Sequence, residues 1–109
     1  MIWTAWNNGA YKLSGAGYGF KIDKADRDRH CQRDWKAVIV HLPSPKGETE
    51  VEVNVDKASF WNKTCRELIY KRIGRWLLNN HYAPWPMGDP LQFEVQSTGN
   101  GHFKVIRGL

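Results

Sequence analysis

Cysteine is scarce, with only Cys31 and Cys65 in 109 residues. They are too few and too far apart for a zinc ribbon or a Cys-x-x-Cys redox pair, and a reducing compartment keeps both as thiols. Long apolar runs are missing as well. Even Trp76-Leu77-Leu78 is closed by Asn79-Asn80, and no stretch approaches the roughly 20 apolar residues of a membrane-spanning helix. The start, Met1-Ile2-Trp3-Thr4-Ala5-Trp6, lacks the basic stretch and apolar run of a secretory signal, so a cytoplasmic location is expected. His30, His41, His81 and His102 are scattered singly, with no i,i+4 pair and no acid set as a second shell, so neither metal nor cofactor is expected. The run Gly15-Ala16-Gly17-Tyr18-Gly19 does not open a helix as a dinucleotide fingerprint does, nor does it end in the Gly-Lys-Ser/Thr of a P-loop. It reads as a turn or bulge in which glycine supplies positive φ or close backbone approach.

The residues present describe one folded domain over residues 1–109, because the length suits a single core. Hydrophobic residues make up 41% and charged residues 25%, which excludes disordered and fibrous architectures. Six tryptophans guarantee that large aromatics dominate burial. The net charge is 16 − 11 = +5, a balance that favours polyanions as partners.

Hydrophobic spacing predicts the elements. A glycine-punctuated strand, turn, strand opens the chain, with Tyr18, Phe20 and Ile22 on one face. Asp23 to Arg33 is almost wholly charged and predicts a short polar helix at about 23–31, exposed and outside the core. Ala37 to Leu42 is β-branched and followed by Pro43-Ser44-Pro45-Lys46-Gly47, then by a strictly alternating strand with Val51, Val53 and Val55 inward. Thr64-Cys65-Arg66-Glu67 has capping-box spacing, and Cys65, Leu68, Ile69, Ile73, Trp76 and Leu77 form a helical stripe. One long amphipathic helix at about 64–79 is therefore predicted, aided by a Glu67–Lys71 pair. A hairpin ends the chain, with Leu91, Phe93 and Val95 alternating with polar residues, a turn at Ser97-Thr98-Gly99-Asn100-Gly101, and Phe103 and Val105 inward. Without a strand–helix–strand rhythm, the fold class is α+β, a mostly antiparallel sheet or open pseudobarrel.

Charge is concentrated. Lys57, Lys63, Arg66, Lys71, Arg72 and Arg75 face one acid, Glu67, so residues 57–75 carry 6 − 1 = +5, the charge of the whole chain. Phe60, Trp61 and Asn62 lie among them, joining aromatic surface to an amide that can bond a base edge. Lys24, Arg27, Arg29 and Arg33 form a second basic arm. The candidate nucleic-acid contacts are thus Lys24, Arg27, Arg29, Arg33, Trp61, Asn62, Lys63, Arg66 and Arg72, and four to six phosphate contacts predict a log K against log salt slope of roughly −4 to −5.

The order of elements, with Gly88-Asp89-x-x-x-Phe93 and Phe103-Lys104-Val105, resembles the B3-like DNA-recognition pseudobarrel of plant transcription factors and bacterial restriction endonuclease recognition domains. The resemblance spans residues 17–106 and implies two loop-borne arms gripping the major groove of duplex DNA. Those arms would fall near Asp23–Arg33 and Asp56–Lys63, with Arg27, Arg29, Trp61, Asn62 and Lys63 as contacts. The long second helix and Pro84-Trp85-Pro86 depart from that family. The phrases AWNNG, GAGYGFKI and SFWNKTCREL also look like those of small bacterial proteins of unknown role. The alternative to a nucleic-acid module is an adaptor that binds an acidic protein through exposed tryptophan and arginine. A hydrolase built on Asp26, Asp28 and His30 rests only on their clustering among solvated charges, so no enzymatic activity is expected. Membrane-surface binding is disfavoured because the apolar stripe of residues 65–77 is needed for the core.

Overall fold

In the computed structural model, which describes residues 1–109, strands reach from one end of the chain to the other. β1 (Ile2–Asn7), β2 (Tyr18–Ile22), β3 (Ala37–Ser44), β4 (Gly47–Asn54), β5 (Glu67–Ile69), β6 (Gln92–Gly99) and β7 (His102–Gly108) form one sheet in the order β4-β3-β7-β6-β1-β2-β5. Every pairing is antiparallel except β3 with β7, where Ile39, Val40 and His41 run parallel to His102, Phe103 and Lys104. The outer strands β4 and β5 approach without pairing, so the sheet curls into a nearly closed mixed barrel. Three short helices complete the chain: α1 (Lys24–His30), α2 (Ala58–Trp61) and α3 (Lys71–Asn79). None is long and apolar enough to cross a membrane.

The period-2 pattern explains the core. Tyr18, Phe20 and Ile22 from β2, Val38, Val40 and Leu42 from β3, and Val51 and Val53 from β4 all point inward, followed by Val55 just past the strand. Phe93 and Val95 from β6 meet Phe103 and Val105 from β7, as the alternation predicts. Fully buried Trp3 packs against Phe20 and Phe103 at centroid distances of 5.6 and 5.3 Å, tying β1 to strands on both sides. Phe20 and Phe93 meet edge to face, and such aromatic pairs add about 0.5–1.5 kcal/mol beyond area burial. Gly15 and Gly17 hold φ of +88° and +80°, so the glycine run is the turn that its composition predicts.

The long helix at 64–79 is not formed, and the capping box does not act as one. The Asn62 side chain accepts the backbone N–H groups of both Thr64 and Cys65, at 2.9 and 2.7 Å, and closes a local turn. Arg66 follows with φ +59°, outside the helical region. Glu67, Leu68 and Ile69 then pair with Lys21, Phe20 and Gly19 as β5. Gly19 permits this: a Cβ there would overlap the Leu68 carbonyl. Residues 67–69 thus extend the sheet, where they gain cross-strand bonds that an isolated helical turn lacks. Only the second half of the stripe survives, with Ile73, Trp76 and Leu77 of the nine-residue α3 entering the core. The Glu67–Lys71 helical pair is lost with it.

The charged segment also departs from its expectation. α1 begins and ends within a residue of the predicted helix, yet Arg27 at its centre and Cys31 just after it are buried. A segment read as wholly exposed therefore contributes to the interior, through a long cation whose polar end is satisfied by the chain itself.

Candidate nucleic-acid interface

Arg27 joins two distant segments. Its Nη1 donates to the carbonyl oxygens of Phe60 and Asn62, at 2.9 and 2.6 Å, and Asp28 accepts from its Nε at 3.0 Å. The guanidinium carbon also lies 5.3 Å from the Trp61 ring centroid. Trp61 is held in turn by its indole N–H, which donates to the Val55 carbonyl at 3.0 Å, and by an edge contact with Phe60. α1 and the residues after α2 are consequently one surface.

The candidate cations divide into two kinds. Arg27 is 3% exposed and its donors face protein acceptors, which corrects its reading as a contact with a partner. Arg66 is half-buried, with Nε donating to the Ile22 carbonyl at 2.9 Å and Nη1 to the Lys63 carbonyl. It shapes the loop, and only its Nη2 is left without a bond in the fold. Lys24 is exposed but paired with Asp28 at 2.9 Å. Arg29, Arg33 and Lys63 are exposed and form no ion pair, and Arg33 lies 5.4 Å from the Trp61 ring centroid. Asn62 is exposed, but its side-chain oxygen is committed to Thr64 and Cys65, which leaves its NH₂ group free to donate. Arg72 lies apart from this surface, on α3 beside the β3–β4 hairpin.

Local electrostatics follow from this packing. Hydrogen bonds from Lys24 and then Arg27 hold the Asp28 carboxyl below its usual range. Burial pushes the Cys31 thiol up to about 11, against a smaller opposing effect of Arg27. Lys57, counted within the basic run, is half-buried, and that burial lowers its pKa. Asp26 and His30 share a face of α1 at i,i+4 spacing, whereas Asp28, two residues from each, points away toward Lys24 and Arg27. These three do not converge as an acid–base set.

Sequence spacing misses one cluster. The parallel β3–β7 pairing brings His41 Nε2 within 2.9 Å of His102 Nδ1, and Glu48 and Glu50 lie 3.6 and 3.7 Å from His41 Nδ1. Glu48 also meets Lys104 at 3.4 Å. Both histidines are separated by 61 positions, so only their alternate-residue placement on strands could have hinted at a shared face. No set of three or more His, Cys, Asp or Glu side chains is grouped to share a metal ion.

The fold and surface define a nearly closed, mixed β-barrel whose basic arm is braced by a buried arginine. No protein-family model, curated protein or solved structure matches this chain. The architecture is compatible with a pseudobarrel.

Proposed function

We propose that the protein is a nucleic-acid-binding module for duplex DNA, with the B3-like arrangement of two arms that the sequence resembles. The observation that carries this reading is the Arg27 bridge, which unites α1 with the Trp61–Lys63 segment. The united surface presents Arg33 and Lys63 without acidic partners, and Arg29, two residues from Arg27, adds an unpaired cation on another face of α1. These cations contact phosphates, while the Asn62 NH₂ group donates to base edges. The absence of the predicted long helix removes one departure from the B3-like pattern.

Because Arg27 and Arg66 serve the fold, fewer cations remain to displace counterions than the composition suggests. Three to four phosphate contacts give a log K against log salt slope of roughly −3 to −4. Fluorescence anisotropy with duplex DNA, single-stranded DNA and duplex RNA across a salt series tests this. Duplex DNA is expected to bind tightest, and replacing Arg29, Arg33 and Lys63 together by glutamine should reduce the slope by roughly 3. Salt-independent affinity, or no binding at low salt, overturns the proposal. The adaptor alternative relies on exposed tryptophans, yet all six are buried or half-buried, which favours the nucleic-acid reading. Co-purification after nuclease treatment separates the two, since only a protein partner survives that step.

A further inference from the structure

A cleft of about 330 Å³ lies between α3 and the turn end of the β3–β4 hairpin, within the size range of small-ligand sites. Arg72 and Arg75 line it, and no carboxylate does. The two arginines stand at i,i+3 on one helix, where like charges repel unless an anion lies between them. Arg72 makes no hydrogen bond or ion pair within the protein, leaving its whole guanidinium free. Arg75 engages only Nε, which donates to the Ser14 carbonyl at 3.1 Å, so both of its terminal amino groups stay free. The lining side chains of Ser44, Thr49 and Asn79 likewise bond nothing in the fold and add two hydroxyls and an amide.

The width of the cleft is set by the scaffold. Trp76 Nε1 donates to the Pro43 carbonyl at 2.7 Å, which ties helix to hairpin. Gly74 of α3 packs so closely on Gly15 that a Cβ would overlap the Gly15 carbonyl. Leu42 and the indole of Trp76 supply an apolar floor beneath the polar groups. From these features we infer that the cleft binds a phosphate monoester, its phosphate held by Arg72 and Arg75 and its organic group resting toward Leu42 and Trp76. A phosphate dianion balances two cations, and its three acceptor oxygens suit this many donors better than the two oxygens of a carboxylate.

This site goes beyond the proposed DNA surface and lies at the other end of the hairpin. Trp61 is anchored at Val55, whereas the cleft begins at Thr49, about 20 Å away along an extended strand. Two sources share the chemistry: a free mononucleotide-like ester and the 5′-phosphorylated end of a nucleic-acid strand.

The test is a titration of the ¹⁵N-labelled protein, at constant ionic strength, with inorganic phosphate, adenosine 5′-monophosphate and adenosine. Phosphate and the monophosphate are expected to shift the Trp76 indole and Asn79 amide resonances at millimolar concentration or below, while adenosine does not. Arg72→Gln should weaken the monophosphate at least about tenfold with no change in thermal stability, because Arg72 bonds nothing in the fold. Arg33→Gln, on the DNA surface, should leave it unchanged, so failure here is distinct from failure of the DNA proposal. A short strand with a 5′-phosphate that binds more tightly than the monophosphate, and than the same strand unphosphorylated, assigns the strand end as the source. Equal or weaker binding than the monophosphate assigns the free ester. The inference is overturned by absent shifts in phosphate and monophosphate, by an equal response to adenosine, or by undiminished binding to Arg72→Gln.

Discussion

Two arginine-rich regions of this barrel look alike in sequence and behave differently in the fold. Around α1, Arg27 and Arg66 point their donors at backbone carbonyls of Phe60, Asn62, Ile22 and Lys63, and so hold loops in place. Along α3, Arg72 and Arg75 face a cleft with no acid in it and retain nearly all their donors. Formal charge does not distinguish a cation that braces the chain from one that is offered to a partner. What distinguishes them is whether carbonyl oxygens, left without partners by irregular backbone, lie within reach of the guanidinium.

The largest test of this contrast is Arg27→Met against Arg72→Gln. Removing the buried guanidinium leaves the Phe60 and Asn62 carbonyls without their donor, and unfolding in urea should show a loss of about 3 kcal/mol. Arg72→Gln should stay within about 0.5 kcal/mol of the parent protein. Comparable losses in the two would erase the distinction. Next in size is Gly74→Ala, which would place a methyl group on the Gly15 carbonyl. Despite better helix propensity, it should cost about 2 kcal/mol and open the cleft by shifting α3, measured as a lower urea midpoint and weaker monophosphate binding.

Cysteine labelling reads the α1 side at higher sensitivity. Cys31 is buried and its thiol is pushed up to about 11, so it is protonated at neutral pH, whereas Cys65 is half-buried. Iodoacetamide should modify Cys65 first, with Cys31 protected until Arg27→Met loosens α1; mass spectrometry of the digested protein checks the order. The smallest effect is expected from Asp28→Asn. The folded-state pKa of Asp28 is lowered by Lys24 and Arg27, so its stabilisation is complete above the ordinary carboxylate range and fades as pH falls through the folded value. The stability gap between parent and variant should therefore be widest near neutral pH and close on acidification, as followed by urea titrations at successive pH values.

Strand content was legible because period 2 is a local property. Val51, Val53 and Val55 alternate with Glu50, Glu52 and Asn54, and only one face of such a strand can be buried. The same local logic failed from Thr64 to Ile69, where apolar spacing and a capping box satisfied the rules for a helix. The deciding partners were Gly19, whose missing Cβ admits the Leu68 carbonyl, and the Ile22 carbonyl, which receives Arg66. Both lie more than forty positions away, beyond any spacing rule. The candidate site was legible as two basic arms, one of them holding Trp61, and their joining was not, because the bridge runs from Arg27 to carbonyls at 60 and 62.

By itself, then, the sequence determined a β-rich α+β chain with an aromatic core, an excess of positive charge, and the faces of its alternating strands. These follow from side-chain chemistry and periodicity, which act between near neighbours. Only the tertiary structure decided that β3 runs parallel to β7 and pairs His41 with His102, that residues 67–69 extend the sheet, and which arginines stay free. Those outcomes depend on where distant backbone donors and acceptors meet once the core has closed, and the energy of each contact exists only after both partners have been brought there.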